Sequence, residues 1–184
     1  MTTLTITPDN AADQVLLHTS DFDTIQQELA AIGIPMQRWS ATARLAADAD
    51  QATVLKAYEQ SVAELSAKYE IQSVDVVAMH PAHEQAAVAR AKFLAEHTHD
   101  DFEIRFFVDG AGVFYIRKHG KVYQTLCTAG DLIELPADTT HWFDMGPRPF
   151  FKAIRLFTKP DGWVGKFTGD EIAKRFPEYT GVGA

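Results

Sequence analysis

The sequence predicts a mainly β fold with helical decoration, an antiparallel barrel or double-sheet jelly roll. Three observations lead there. Six short β-rich runs crowd into residues 102–157, turn signals separate them, and helical periodicity lies almost wholly upstream. Residues 1–184 read as one domain, divided into a mixed α/β lead-in (1–95), the strands that carry the chemistry (96–158) and a C-terminal extension (159–184).

Leu4 to Thr7 alternates and predicts a short strand ending at Pro8. Ser20, with Asp23 three residues on, opens an apolar-periodic run through Phe22, Ile25, Leu29 and Ile32 that stops at Gly33, the pattern of a capped amphipathic helix. Val54, Tyr58, Val62, Leu65 and Tyr69 keep helical spacing and predict one longer helix. Val74 to Met79 is an apolar run cut by Pro81 and reads as a strand, and residues 82–94 are rich in helix formers. The β-rich runs follow at 102–108, 112–118, 121–127, 131–135, 141–145 and 150–157. Asp109-Gly110, His119-Gly120, Gly130-Asp131, Pro136 and Gly146-Pro147 punctuate them. A last helix is predicted over 169–176, opened by Asp170 and Glu171 and closed by Pro177.

Composition narrows the function. The formal net charge is −8, from 17 basic and 25 acidic residues, with no basic cluster to meet nucleic acid or an anionic membrane. No apolar run approaches the ~20 residues that span a bilayer. The segment MTTLTITPDN lacks the marks of a signal peptide, and Cys127 has no second cysteine to pair with. A cytoplasmic monomer is the expectation.

The informative stretch is Glu96-His97-Thr98-His99-Asp100-Asp101-Phe102-Glu103. In extended chain, residues two apart share a face, so His97, His99 and Glu103 can aim two imidazoles and a carboxylate at one point. Two neutral nitrogens and an anionic oxygen suit a divalent first-row metal. His141, opening a strand after the Pro136 turn, is the fourth candidate ligand. Four protein ligands leave an octahedral ion two free positions, whereas structural zinc sites are closed and usually cysteine-rich. Chemistry with a chelating substrate or O2 is therefore expected.

Arg105 shares the parity of Glu103 and is a candidate for stabilising negative charge in the same cavity. Arg155, mid-strand in Ala-Ile-Arg-Leu-Phe, either supports the site or faces solvent at the barrel edge. Phe93, Phe107, Phe143 and Trp163 are candidate apolar wall. Glu96 either supports the ligands from behind or is a solvated carboxylate, and Asp101 or Asp100 is a candidate for proton transfer. His18, His80, His83 and His119 show no spacing that demands a role, and Cys127 reads as a small buried filler.

H-x-H-x3-E followed by Gly110, then Gly130, Pro136 and His141, matches the paired motifs of the cupin superfamily. The longer strings EHTHDDFEIRFFVDGAGVFYIR (96–117), PADTTHWFDMG (136–146), FKAIRLF (151–157) and GWVGKFTGD (162–170) resemble the acireductone dioxygenases. The resemblance is strongest over about 96–170. It implies Fe(II) or Ni(II), one ion per chain, and cleavage of 1,2-dihydroxy-3-keto-5-methylthiopentene by O2 in methionine salvage. It further implies that iron yields formate and the 2-keto acid precursor of methionine, and nickel carbon monoxide, formate and methylthiopropionate. Ala91, Asp138 and Met145 stand where the broad cupin motif has Gly, Gly and Asn. Phe102 stands where relatives carry an acidic residue thought to help form the substrate dianion; Asp100 or Asp101 takes that role, or the substrate arrives deprotonated. Another cupin dioxygenase or isomerase, or a non-catalytic binding cupin, is the alternative.

Overall fold

β6 (Glu103–Lys118) is shared by two antiparallel sheets. In the computed structural model, which describes residues 1–181, its N-terminal half lies between β8 (Asp131–Leu135) and β10 (Phe151–Phe157). β3 (Met36–Arg38) and β4 (Ser73–Met79) extend that sheet, which runs β4-β10-β6-β8-β3. The C-terminal half of β6 joins the other sheet: β11 (Gly165–Phe167), β5 (His97–His99), β9 (His141–Asp144), β6, β7 (Lys121–Thr128), β1 (Thr3–Pro8) and β2 (Leu17–Thr19). The double-sheet barrel expected from strand spacing is the architecture observed.

Strand alternation sorts the core into layers. Phe107 points inward with Phe114, Phe143 and Phe151, which pack ring against ring. Ile104, Phe106 and Val108 point outward and are buried too, beneath α2 (Gln51–Ala57) and α3 (Glu59–Lys68). On the opposite sheet, Tyr115 stacks on Trp142 with centroids 5.0 Å apart, and Ile172 and Phe176 cover them. α1 (Phe22–Ala31) adds Ile25 and Leu29 to the interior. α4 (Ala86–Phe93) buries none of its residues fully and leads into β5.

Several elements differ from the sequence expectation. Asp21, not Ser20, caps α1, its carboxylate accepting the Thr24 N–H at 3.0 Å. The single helix expected through Tyr69 is two, because Tyr58 leaves helical geometry (φ −119°, ψ 23°). Its ring is held edge-on to Phe106 and its hydroxyl accepts the Ala43 N–H. The helix expected over 82–94 is confined to α4, and that over 169–176 is one 3-10 turn, Ile172–Arg175. The final three residues of the 159–184 extension lie outside the described residues.

Asp109-Gly110 separates no strands. Register on β10 shifts between Lys152 and Ala153, which face Asp109 and Phe107, so Val108 is the extra residue of a bulge just before the dipeptide, where β6 bends from one sheet into the other. Gly110 sits at φ +64°, where a Cβ would overlap the Phe150 carbonyl oxygen. Gly110→Ala should therefore cost at least about 2 kcal/mol in urea denaturation, against about 1 for Gly120→Ala. Gly120 also has positive φ but open space around it. Equal losses would show that the bend does not depend on backbone contact at Gly110.

Candidate metal centre

β5 and β9 meet with His97 directly opposite His141, and two residues along β5 His99 faces the same way. The three rings lie 4.4 to 5.3 Å apart between centroids. One ring nitrogen from each gathers within 4.8 Å of the others, all buried. Each Nδ1 faces a backbone carbonyl: His97 on Ala95 at 2.7 Å, His99 on Val164 at 3.1 Å and His141 on Thr139 at 2.8 Å. A carbonyl only accepts, so each Nδ1 carries the hydrogen and each Nε2 is left as a bare lone pair.

Glu103 opens β6 beside them and is 1% exposed. Arg105 Nε donates to one carboxylate oxygen at 2.9 Å, and Arg105 Nη2 reaches the same atom. The other oxygen, Oε2, is 3.4 Å from His99 Nε2 and 3.6 Å from His141 Nε2, and neither Oε2 nor His141 Nε2 has a hydrogen-bond partner among the described residues. Buried polar atoms are rarely left so. Three lone pairs and a carboxylate oxygen, all acceptors, crowd one point with no proton between them. A divalent cation satisfies all four, and the donor set of imidazole and carboxylate suits a first-row metal. The carbonyls behind the Nδ1 atoms fix ring orientation as metal-site partners do.

Charge state follows from the surroundings. Burial, reinforced by neighbouring His141, pushes His97 down to about 3, and burial also lowers His99. Burial disfavours ionised Glu103, but the Arg105 guanidinium beside it outweighs that and holds the carboxyl well below the usual range.

A cavity of about 280 Å³ opens over the nitrogens. That is at the small end of ligand pockets, roughly 300–1,000 Å³. Phe93, Phe143, Trp163 and Phe167 form its apolar wall, and Lys92, Arg105 and Arg155 bring positive charge. Arg155 lies opposite Arg105 in the β10–β6 register, and Asp75 of β4 grips it with bonds of 2.8 and 2.7 Å. The Arg105 guanidinium sits over Phe114 and Phe143, 4.6 and 4.9 Å from their centroids.

Residues 3–165 match the model of the ARD/ARD' family. An acireductone dioxygenase of Parvibaculum lavamentivorans is 54% identical over 179 residues, 97% of each chain. One of Aquifex aeolicus is 48% identical over 169 residues, 92% of each. The chain belongs to the acireductone dioxygenase family. A solved acireductone dioxygenase from Bacillus anthracis, described with a cadmium ion in its active centre, superposes with TM-score 0.78 at 25% identity. The match covers 91% of this chain and 98% of that one, and the fold is the cupin fold. The family is one of oxygen-incorporating oxidoreductases.

Against that family, the candidates divide. Phe93, Phe143, Trp163, Arg105 and Arg155 line the cavity together with His97, His99 and His141. Phe107 does not: its parity is right but it lies deeper, fully buried against Phe143 and Phe151. Glu96 and Asp101 do not line it either. Glu96 bonds Thr168 and Arg117, while Asp101 bonds Thr158 and the Lys159 N–H. Asp100 is exposed and pairs with Lys166. Phe102 stacks on Tyr69 on the outer face, so an acidic side chain taking its orientation would point away from the cavity. Asp138, where the general motif has Gly, itself adopts φ +61° and donates its N–H to the His99 carbonyl. The other histidines lie outside the cavity lining, and Cys127 is a buried filler as expected. Sequence reasoning missed Lys92, Phe167 and Asp75. The two cavity residues stand on short elements without periodic signal, and Asp75 acts through a partner eighty positions away.

The low value at His97 carries a pH prediction. Its folded-state pKa lies below the unfolded ~6.5, so the unfolded chain binds more protons as pH falls. The linked stability is fully present above ~6.5 and is lost progressively toward about 3. Urea midpoints of the chelator-treated protein should fall between pH 7.5 and 5.5. Midpoints that rise over that interval would contradict a neutral His97.

Proposed function

We propose that this chain is a metal-dependent dioxygenase that cleaves 1,2-dihydroxy-3-keto-5-methylthiopentene with O2 in methionine salvage, as a cytoplasmic monomer holding one Fe(II) or Ni(II). The observation carrying the reading is the convergence of three bare Nε2 atoms and the unpartnered Glu103 oxygen under a small aromatic cavity. His97, His99, Glu103 and His141 would hold the ion. When bound, it supplies Lewis acidity and a redox couple for chemistry with O2.

The chain's own residues supply the rest. Arg105 and Arg155 face the cavity from adjacent strands, and two fixed cations lower the pKa of an enediol hydroxyl placed near them and favour its anion. Because Glu103 and Asp75 already hold both guanidiniums, little reorganisation is needed when charge develops on the substrate. Phe93, Phe143 and Trp163 suit the apolar methylthio end and exclude water around it. The expected products are formate and 4-methylthio-2-oxobutanoate from iron-loaded protein, and carbon monoxide, formate and 3-methylthiopropionate from nickel-loaded protein.

The direct test is anaerobic addition of synthetic acireductone to iron-loaded protein, then O2, with decay of the substrate followed optically. Acceleration over the uncatalysed rate is expected; an unchanged rate would remove the reading. His97→Ala and His141→Ala should each lose metal by elemental analysis while keeping the wild-type circular dichroism, since the aromatic interior packs without them. Global unfolding of both variants would instead mark the ion as a structural support.

A further inference from the structure

The segment from Thr158 to Thr168 lies along the edge of the metal-facing strand and contributes to the site at four points. Trp163 and Phe167 line the cavity, the Val164 carbonyl receives the His99 Nδ1–H, and Gly165 packs under the His97 ring, where a Cβ would lie 3.2 Å from its Cδ2. The β-structure in this segment is a three-residue pairing with β5, and Trp163, Val164 and Phe167 are each about half exposed. So short a pairing, with its large side chains half in water, is weakly held by its own packing. Besides the exposed Lys166–Asp100 ion pair, its buried anchors lie at its two ends, and both are carboxylates that flank the His97-Thr98-His99 strand.

At one end is Asp101, 4% exposed and removed from the cavity. Its Oδ1 accepts the Phe102 N–H at 2.8 Å and the Thr158 hydroxyl, and its Oδ2 accepts the Lys159 N–H at 2.7 Å. Gly162 closes over it so tightly that a Cβ there would overlap Oδ2. At the other end is Glu96, 2% exposed. Its Oε1 accepts the Thr168 hydroxyl at 2.7 Å, its backbone carbonyl accepts the Thr168 N–H at 3.0 Å, and Arg117 lies 3.4 Å from Oε2. Both side chains have their bonding capacity directed at the segment or its surroundings rather than at the cavity.

We propose that Glu96 and Asp101 are positioning residues, two staples that fix the 158–168 segment so that Val164 orients His99 and Trp163 closes the cavity. Proton handling by either carboxylate is not part of this assignment. The inference rests on the proposed metal site for its consequence at His99, and on the hydrogen bonds alone for its consequence in the segment.

The test separates the two. Thr158→Val and Thr168→Val each remove one hydroxyl donor and leave the carboxylates and the barrel interior intact. Their double variant should exchange amide hydrogens in 158–168 about tenfold faster, as loss of two ordinary hydrogen bonds implies, with β7 and β10 unchanged. Co(II), used as the probe and followed by its visible absorption, should bind roughly 10–100-fold more weakly, the usual effect of losing a group that orients a ligand. Asp101→Asn keeps two of the three acceptor bonds when its amide oxygen takes the Oδ1 position; in the other orientation it keeps the Lys159 N–H bond and donates to the Thr158 hydroxyl. It should therefore retain turnover within a few-fold, with KM moving more than kcat. Wild-type exchange in the double variant would overturn the proposal. So would a loss of about a hundredfold or more in kcat for Asp101→Asn with exchange and Co(II) affinity unchanged, the mark of a general base. If the wild-type protein binds no Co(II), the metal site itself fails, and the exchange data still decide whether the staples hold the segment.

Discussion

Three backbone carbonyls, of Ala95, Thr139 and Val164, hold the hydrogens of three imidazoles and so decide where the imidazole lone pairs point. Much else in the site answers to that constraint. With every Nδ1 committed outward, the Nε2 atoms face one another in a buried space, and Glu103 adds an anionic oxygen with no donor to meet it. Left alone, such a cluster is a desolvated set of mutual repulsions. Arg105 relieves only one Glu103 oxygen, so the remaining demand is for a cation at the centre.

The barrel exists, from the site's point of view, to hold these groups at that spacing without help from the ion. β6 is the strand that does most. Its first residue is Glu103, its third is Arg105, its fifth is the interior ring Phe107, and after the bulge at Val108 it supplies Phe114 beneath the Arg105 guanidinium. Both faces of its N-terminal half are buried, by aromatic rings inside and by α2 and α3 outside. A charged pair placed there is rigid because the strand bearing it has few other places to go. The acidic chain thereby keeps a locally positive cavity, suited to a small anion, despite a net charge of −8.

Much of this was legible in the residues before any coordinates. Period-two parity put His97 with His99 and Glu103 with Arg105, and alternation within β5 and within β6 agrees; the bend at 100–102 between the strands breaks the period, and Asp101, of the same parity, turns away. The β-rich texture from 102 to 157 revealed the barrel. What was hidden depended on partners distant in sequence. Asp109-Gly110 reads equally as a hairpin turn or as a bent strand, and only its pairing to Lys152 and Phe151 decides. Parity put Phe107 inward but carries no information on depth. Glu96 and Asp101 look catalytic beside the histidines, yet Thr158 and Thr168 claim them from almost sixty and more than seventy residues away. The three-residue strands β2, β3 and β11 are too short to leave a pattern at all.

The central claim, that four protein side chains converge on one ion and leave it accessible to substrate, is open to X-ray absorption spectroscopy of the iron-loaded protein. The account predicts three imidazole nitrogens with their outer-ring scattering, one carboxylate oxygen, and further light-atom ligands that are replaced when acireductone is added without O2. A shell with fewer than three imidazoles, or one that substrate leaves unchanged, would contradict it.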